Sequence, residues 1–197
     1  HFIFFSSSMV YGNFKTETVD EETNCDPIGI YGSLKFAAEK IIKSYNQVFG
    51  LPYTIIRPSA LYGERCISRR VGQIFIENCL NNQKILIQGD GKEKLDFTYI
   101  QDLVKGIIKI IQNKNSINKT FNITYGNSRP INDLIKILKS YFPSLEVEYQ
   151  KRDKLMPKRG TLSNKMAKKT INFKSEWPLD KGYRKYIHWY KSLYFSK

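Results

Sequence analysis

No apolar run in this sequence approaches the ~18 to 20 residues of a bilayer-spanning helix, so no membrane span is predicted. Cysteine is scarce. Cys25, Cys66 and Cys79 have no metal-ligand spacing, and their odd number argues against a disulfide framework. They read as free thiols in a reducing cytoplasm, and no metal site is expected. No internal repeat or low-complexity linker is present. The opening His1-Phe2-Ile3-Phe4-Phe5-Ser6-Ser7-Ser8 has no initiator methionine and no basic start, which makes it a poor signal peptide. It reads instead as a chain cut inside an apolar strand. Acidic residues are few beside basic ones, 18 against 32, for a net charge of +14. Nucleic-acid binding would concentrate the cations on one helix face or among aromatics. Here lysines are spread over almost every segment, most densely from Lys151 to Lys169. That spread fits a lysine-rich proteome first and an anionic ligand such as a diphosphate second, with nucleic acid last.

What is present is an α/β pattern. With 197 residues, 41% of them hydrophobic, the chain has material for one core, or for one small domain and part of another. Phe2 to Phe5 reads as a buried strand running into a serine turn. A helix is predicted from about Ile30 to Phe49, with Leu34, Ala37, Ala38, Ile41, Ile42, Tyr45 and Val48 on the 3.6 period and Gly50 as its stop. Tyr53 to Ile56 is a second strand, ended by Pro58. Strand, helix and strand at this spacing predict a βαβ unit with a parallel sheet. Further helices are predicted over Val71–Leu80, Ile100–Gln112, up to Tyr141 with Asn132 as a cap, and Leu179–Tyr194. Ile85–Ile87, Phe97–Tyr99 and Phe121–Thr124 read as extended, and Gly89-Asp90-Gly91 as a turn.

Three clusters stand in order along the chain: Ser6-Ser7-Ser8-Met9-Val10-Tyr11-Gly12, Tyr31-Gly32-Ser33-Leu34-Lys35, and Arg57-Pro58-Ser59-Ala60-Leu61-Tyr62-Gly63. Tyr31 and Lys35 are four apart on a helix and project from one face. A phenol is a poor base at neutral pH, but a neighbouring ammonium and a cationic nicotinamide both stabilise the phenolate. A serine at a strand end can hydrogen-bond the same substrate oxygen. Tyr-x-x-x-Lys by itself is a weak signal. The specificity lies in the order of serine turn, helix and Arg-Pro strand end.

On these motifs the sequence resembles the extended short-chain dehydrogenase/reductases, in particular the NAD-dependent epimerase/dehydratase family acting on nucleotide sugars. Asp96-Phe97-Thr98-Tyr99-Ile100-x-Asp102 and Pro157-Lys158-Arg159-Gly160 extend the resemblance to about Tyr190. It implies the carboxyl-terminal part of a Rossmann-type parallel sheet plus a small α/β substrate-binding domain. Residues 1–63 would belong to the NAD-binding domain and 64–197 mainly to the substrate region, with 97–124 returning to the first. It also implies Ser7, Tyr31 and Lys35 as catalytic residues. Ser6, Ser7, Tyr31, Lys35, Pro58 and Ser59 would lie on NAD, with NADP as the alternative. Ser8, Met9, Arg70 and Arg159, with Arg152 in reserve, would lie on a nucleotide-diphosphate sugar. A cytoplasmic homodimer is the expected assembly.

Three departures bear on the substrate. Ala60 stands where the family carries asparagine, and Leu95 where an arginine commonly precedes Asp-Phe. Ser8-Met9 replaces the Asp-Glu pair of the dehydratases, which argues against 4,6-dehydration. The Gly-rich phosphate cradle is absent, so roughly 100 residues are expected upstream, and the chain as given is not expected to bind NAD tightly or turn over. The expected reaction is epimerisation through a C4 keto sugar. The alternatives are a reductase or dehydrogenase of the same family and a non-catalytic binding module.

Overall fold

The computed structural model describes residues 1–195. In chain order the elements are β1 (Phe2–Phe5), β2 (Thr18–Val19), α1 (Gly29–Phe49), β3 (Tyr53–Arg57), β4 (Leu61–Tyr62), α2 (Val71–Leu80), β5 (Ile85–Gln88), β6 (Lys94–Leu95) and β7 (Thr98–Tyr99). They continue as α3 (Ile100–Gln112), β8 (Lys119–Asn122), β9 (Arg129–Pro130), α4 (Ile131–Lys139), β10 (Val147–Gln150), β11 (Thr161–Leu162), α5 (Lys165–Ile171) and α6 (Leu179–Phe195).

β1, β3 and β8 form a parallel sheet with β3 in the middle. Every residue of β3 is buried, as a β-branched run covered on both faces requires. Neighbouring residues on a strand point to opposite faces. Ile55 accordingly packs with Ile42 of α1, while Ile56 packs with Leu103 and Ile110 of α3 and with Ala167 and Ile171 of α5. The fold class is α/β, as the strand-helix-strand spacing predicts. α1 ends at Gly50, whose left-handed φ of 68° lets its N–H reach the Asn46 carbonyl. The apolar stripe of α1 faces outward: Leu34 and Val48 are 65% and 71% exposed, and the helix buries Gly32, Glu39 and Ile42 instead. A second, larger core gathers α2, β5, α4 and α6 around Tyr62, Tyr99 and Tyr183. There Tyr183 donates to the Gly72 carbonyl at 2.8 Å.

The structure moves some boundaries. β8 begins and ends two residues before the apolar run suggests, because its ladder runs against Thr54–Arg57 of β3 and stops where β3 stops. Asn132 does not cap α4. That helix starts directly after Pro130, with no side-chain cap, and Asn132 donates instead to the Asp90 carbonyl at 3.1 Å, bracing the Gly89–Gly91 turn. Gly91 has φ +73°, and a Cβ there would lie 2.1 Å from the Asn132 Oδ1. β10 and the seven-residue α5 escape the hydrophobic pattern, one being mostly exposed and the other too short to show a period.

Asp96 ties the β6–β7 connection to the segment after β8 and to β11. It is fully buried and accepts hydrogen bonds from the Thr124 hydroxyl (3.0 Å), the Leu162 N–H (3.0 Å) and the Gly126 N–H (3.1 Å). Burial outweighs these bonds and pushes its carboxyl from 3.8 up to about 6. A carboxyl whose folded value is raised contributes most to stability below its unfolded value and loses that contribution as pH rises through the folded one. The stability advantage of wild type over Asp96→Asn should therefore shrink by roughly 2 to 3 kcal/mol between about pH 4 and pH 7. Urea unfolding of both proteins at the two pH values measures it, and an advantage that grows with pH would refute the assignment.

Candidate active site

The serine run leaves the sheet without leaving its ladder. Ser6 N–H donates to the Ile56 carbonyl at 2.8 Å and Ser8 N–H to the Pro58 carbonyl at 2.9 Å. Both serines therefore sit at the carboxyl ends of β1 and β3, where open parallel sheets collect ligands. Ser7 then caps a single 3-10 turn, Ser8–Tyr11, with its Oγ accepting from Met9 N–H at 3.2 Å. Gly12 closes this turn at φ +65°, where a Cβ would lie 1.8 Å from the Asp26 carbonyl oxygen. The first turn of α1 rests on the same 3-10 turn: a Cβ at Gly32 would meet the Met9 carbonyl oxygen at 2.7 Å. Glycine at position 32 brings Tyr31 to the serines.

The result is a cleft of about 330 Å³, within the range of small-molecule sites. One part is lined by Ser6, Ser7, Ser8, Met9, Tyr31, Pro58 and Ser59. The rest is lined by Arg70 and Arg159 together with Val71, Leu95, Phe97 and Met156. Nine of the site residues expected from the sequence thus share one cavity, although they come from five separated segments.

Lys35 and Arg152 stand off the cleft wall. Lys35 Nζ donates to the Phe5 carbonyl at 2.7 Å and lies 5.9 Å from the centre of the Tyr31 ring. Its ammonium thus anchors the helix to the end of β1 beside the tyrosine. Arg152 pairs with Glu93 and donates to the carbonyls of Met156 (2.9 Å) and Pro157 (3.2 Å), so its fork is engaged in holding its own loop. Arg159 is different. Its Nε is buried and without a partner, and burial pulls the guanidinium below the usual arginine value, with Glu93 opposing and Arg152 and Arg70 adding to the effect. Ser6 Oγ is likewise buried and unpartnered. With Tyr62 Oη, three residues of the cleft lining carry a buried polar atom without a partner, and a ligand in the cleft could satisfy such groups.

Two departures acquire a physical reading. Leu95 forms part of the apolar wall, and the neighbouring Lys94 is paired with Glu17. Ala60 holds φ +37°, a conformation that asparagine tolerates better than alanine. Ala60→Gly should raise stability by about 1 kcal/mol, read as a rise in melting temperature of roughly 2 to 4 °C. An unchanged or lower midpoint would show that the conformation carries no strain.

Sequence reasoning missed the group beneath the cleft. Arg57 donates from Nε to Glu39 Oε1 (3.0 Å) and from Nη2 to Glu39 Oε2 (2.7 Å), and both side chains are buried. Its Nη1 donates to Tyr11 Oη at 2.9 Å, and Tyr11 donates on to Asn122 Oδ1 at 2.8 Å. The available signal was a glutamate one turn after Lys35, inside a helix otherwise read by its apolar positions.

With this geometry in place, the sequence model of the NAD dependent epimerase/dehydratase family matches residues 1–124. The chain belongs to that family. A putative UDP-glucose 4-epimerase of Methanocaldococcus jannaschii is 34% identical over 191 residues, covering 95% of this chain and 61% of its own. UDP-glucuronate 4-epimerase 4 of Arabidopsis thaliana is 29% identical over 210 residues, covering 96% of this chain and 47% of its own. Among solved structures, the UDP-glucuronic acid 4-epimerase of Bacillus cereus, in complex with UDP-glucuronic acid and NAD, superposes with a TM-score of 0.92 at 28% identity. It covers 98% of this chain and 62% of its own. The UDP-glucose 4-epimerase of Thermotoga maritima, with UDP-glucose, gives 0.91 at 27% identity, with 98% and 63% covered. The fold is thus Rossmann-like, and the chain spans less than two thirds of the length of these relatives. Among the described residues, no helix is long and apolar enough to cross a membrane.

Proposed function

We propose that the intact protein is an NAD-dependent nucleotide-sugar epimerase acting at a sugar C4. The observation that carries this reading is the gathering of Ser7, Tyr31, Pro58 and Ser59 with Arg70 and Arg159 on a single cleft. The relatives whose names specify 4-epimerases of UDP-sugars support it.

In this reading the residues divide the work. Tyr31, as phenolate, takes the proton of the C4 hydroxyl, and Ser7 donates to the oxygen as it becomes a carbonyl. Lys35, one helical turn away with its ammonium 5.9 Å from the Tyr31 ring centre, suits the ribose of the cofactor. NAD, when bound, would supply the hydride acceptor and donor for the sugar carbon. The unpartnered Ser6 Oγ and the Pro58-Ser59 backbone suit the cofactor side of the cleft. Arg70 and Arg159 suit the two phosphates, for which planar guanidinium forks are well shaped. Arg152, held by Glu93, takes the lesser part. Residues 1–63 and 97–124 then form the cofactor side and the remainder of 64–197 the sugar side. The exposed stripe of α1, which includes Ile30, Leu34, Ile41, Tyr45 and Val48, is the face for a homodimer.

The test is incubation of the intact protein with NAD and UDP-, GDP- and dTDP-sugars, following sugars by NMR and NADH by absorbance. Epimerised sugar without net NADH is expected. Net NADH with an oxidised sugar would replace the reading by a dehydrogenase, and no conversion with any of them would sink the epimerase.

A further inference from the structure

We infer that Glu39, Arg57 and Tyr11 are positioning residues, which hold Tyr31 and Lys35 in register with Ser7 through one buried polar chain. The inference rests on the reading that Ser7, Tyr31 and Lys35 act together.

Each member of the chain belongs to an element that carries part of the cleft. Glu39 lies on α1, four residues after Lys35 and eight after Tyr31, and is fully buried. Arg57 ends β3, directly before Pro58 and Ser59, and is 3% exposed. Tyr11 closes the 3-10 turn that Ser7 begins and is 2% exposed. Beyond Tyr11 the chain reaches Asn122 at the end of β8, whose N–H donates to Glu21 Oε1 at 2.7 Å and whose Nδ2 donates to the Ser163 carbonyl at 3.2 Å. The three catalytic candidates sit on two elements, and this network binds both to the central strand.

Stability alone does not account for such a device. Removing two opposite charges from water is costly, their attraction roughly repays that cost, and apolar side chains of similar volume often hold a fold as well or better. What a two-point Arg–carboxylate contact adds is direction, because both N–H···O bonds are satisfied in one arrangement only. α1 needs that direction. Its other buried residues are Gly32 and Ile42, while most of its apolar side chains point away from the sheet. Apolar contact permits sliding. A slip of one residue along the helix axis moves Tyr31 by about 1.5 Å, and a misplacement of roughly 1 Å can cost on the order of 10²-fold in rate.

The experiment uses two variants of the intact protein. Tyr11→Phe keeps the ring and removes only the bridging hydroxyl. The double variant Glu39→Met with Arg57→Met removes the ion pair while keeping the buried volume, so that it folds without leaving a lone charge. Each is examined for melting temperature, for kcat and KM with NAD and a UDP-sugar, and by the ¹⁹F resonance of 3-fluorotyrosine placed at position 31. Both are expected to melt within a few degrees of wild type, with kcat at least about 10-fold lower, KM within about 3-fold, and a displaced fluorine resonance. A folded variant with an unmoved resonance overturns the inference, whatever its rate. Should the wild-type protein convert no nucleotide sugar, the epimerase reading fails separately. The fluorine resonance then still decides the matter: displacement supports positioning and its absence refutes it.

Discussion

Tyr31→Phe is expected to lower kcat roughly 10²- to 10⁴-fold while leaving the KM for the nucleotide sugar within a small factor. The substitution removes one oxygen and keeps the ring, so it separates proton transfer from binding. Tyr31 stands in the first turn of α1 and is half exposed, so little core packing depends on it and the melting temperature should not move. In the proposed reaction its role would rest on company rather than burial. It lines the cleft with Ser7, and Lys35 brings a positive charge to within 5.9 Å of its ring centre. Steady-state rates and a single-turnover measurement of bound NADH would separate loss of chemistry from loss of cofactor. A Tyr31→Phe protein with wild-type kcat would remove the tyrosine from the mechanism and leave the base unassigned.

Arg159→Met should produce two effects of opposite sign. Without ligand, the protein carries a guanidinium whose Nε is buried and unpartnered, at a cost on the order of 1 to 3 kcal/mol. Methionine fills similar space without that cost, so the melting temperature should rise by several degrees, at roughly 2 to 4 °C per kcal/mol for a chain of this size. Binding of a UDP-sugar should weaken about 10- to 100-fold, the worth of one charge-assisted hydrogen bond of about 1.5 to 3 kcal/mol. Arg70→Met offers the contrast. Arg70 is exposed, its Nε already meets Ser68 Oγ at 3.1 Å, and its loss should leave stability nearly unchanged while weakening binding less. Calorimetric titration with UDP and thermal melts of both variants provide the comparison. If Arg159→Met lowers the melting temperature and leaves UDP binding intact, Arg159 holds the fold and not the phosphates.

The local half of the design could be read from the chain. Four-residue spacing on a helix places Tyr31 and Lys35 on one side whatever else the protein does, because 3.6 residues make a turn. The α/β alternation, the stop at Gly50 and the end of β3 before Pro58 likewise follow from backbone preferences of a few residues. Arginine as the ligand for a diphosphate is also a local argument, yet it named Arg70 and Arg159 together, with Arg152 in reserve. Only the tertiary structure separated them, by giving Arg152 a carboxylate and two carbonyls while leaving Arg159 Nε shut off from solvent with no partner. The same holds for α1. Its apolar period is plain in the sequence, but which side of the helix meets the sheet was settled by Glu39, because a residue 18 positions later supplies its bidentate partner. Periodicity measures how hydrophobic a face is. It does not record what stands opposite, and a buried charge or a free guanidinium is defined by that opposite group, which the fold brings from a distant part of the chain.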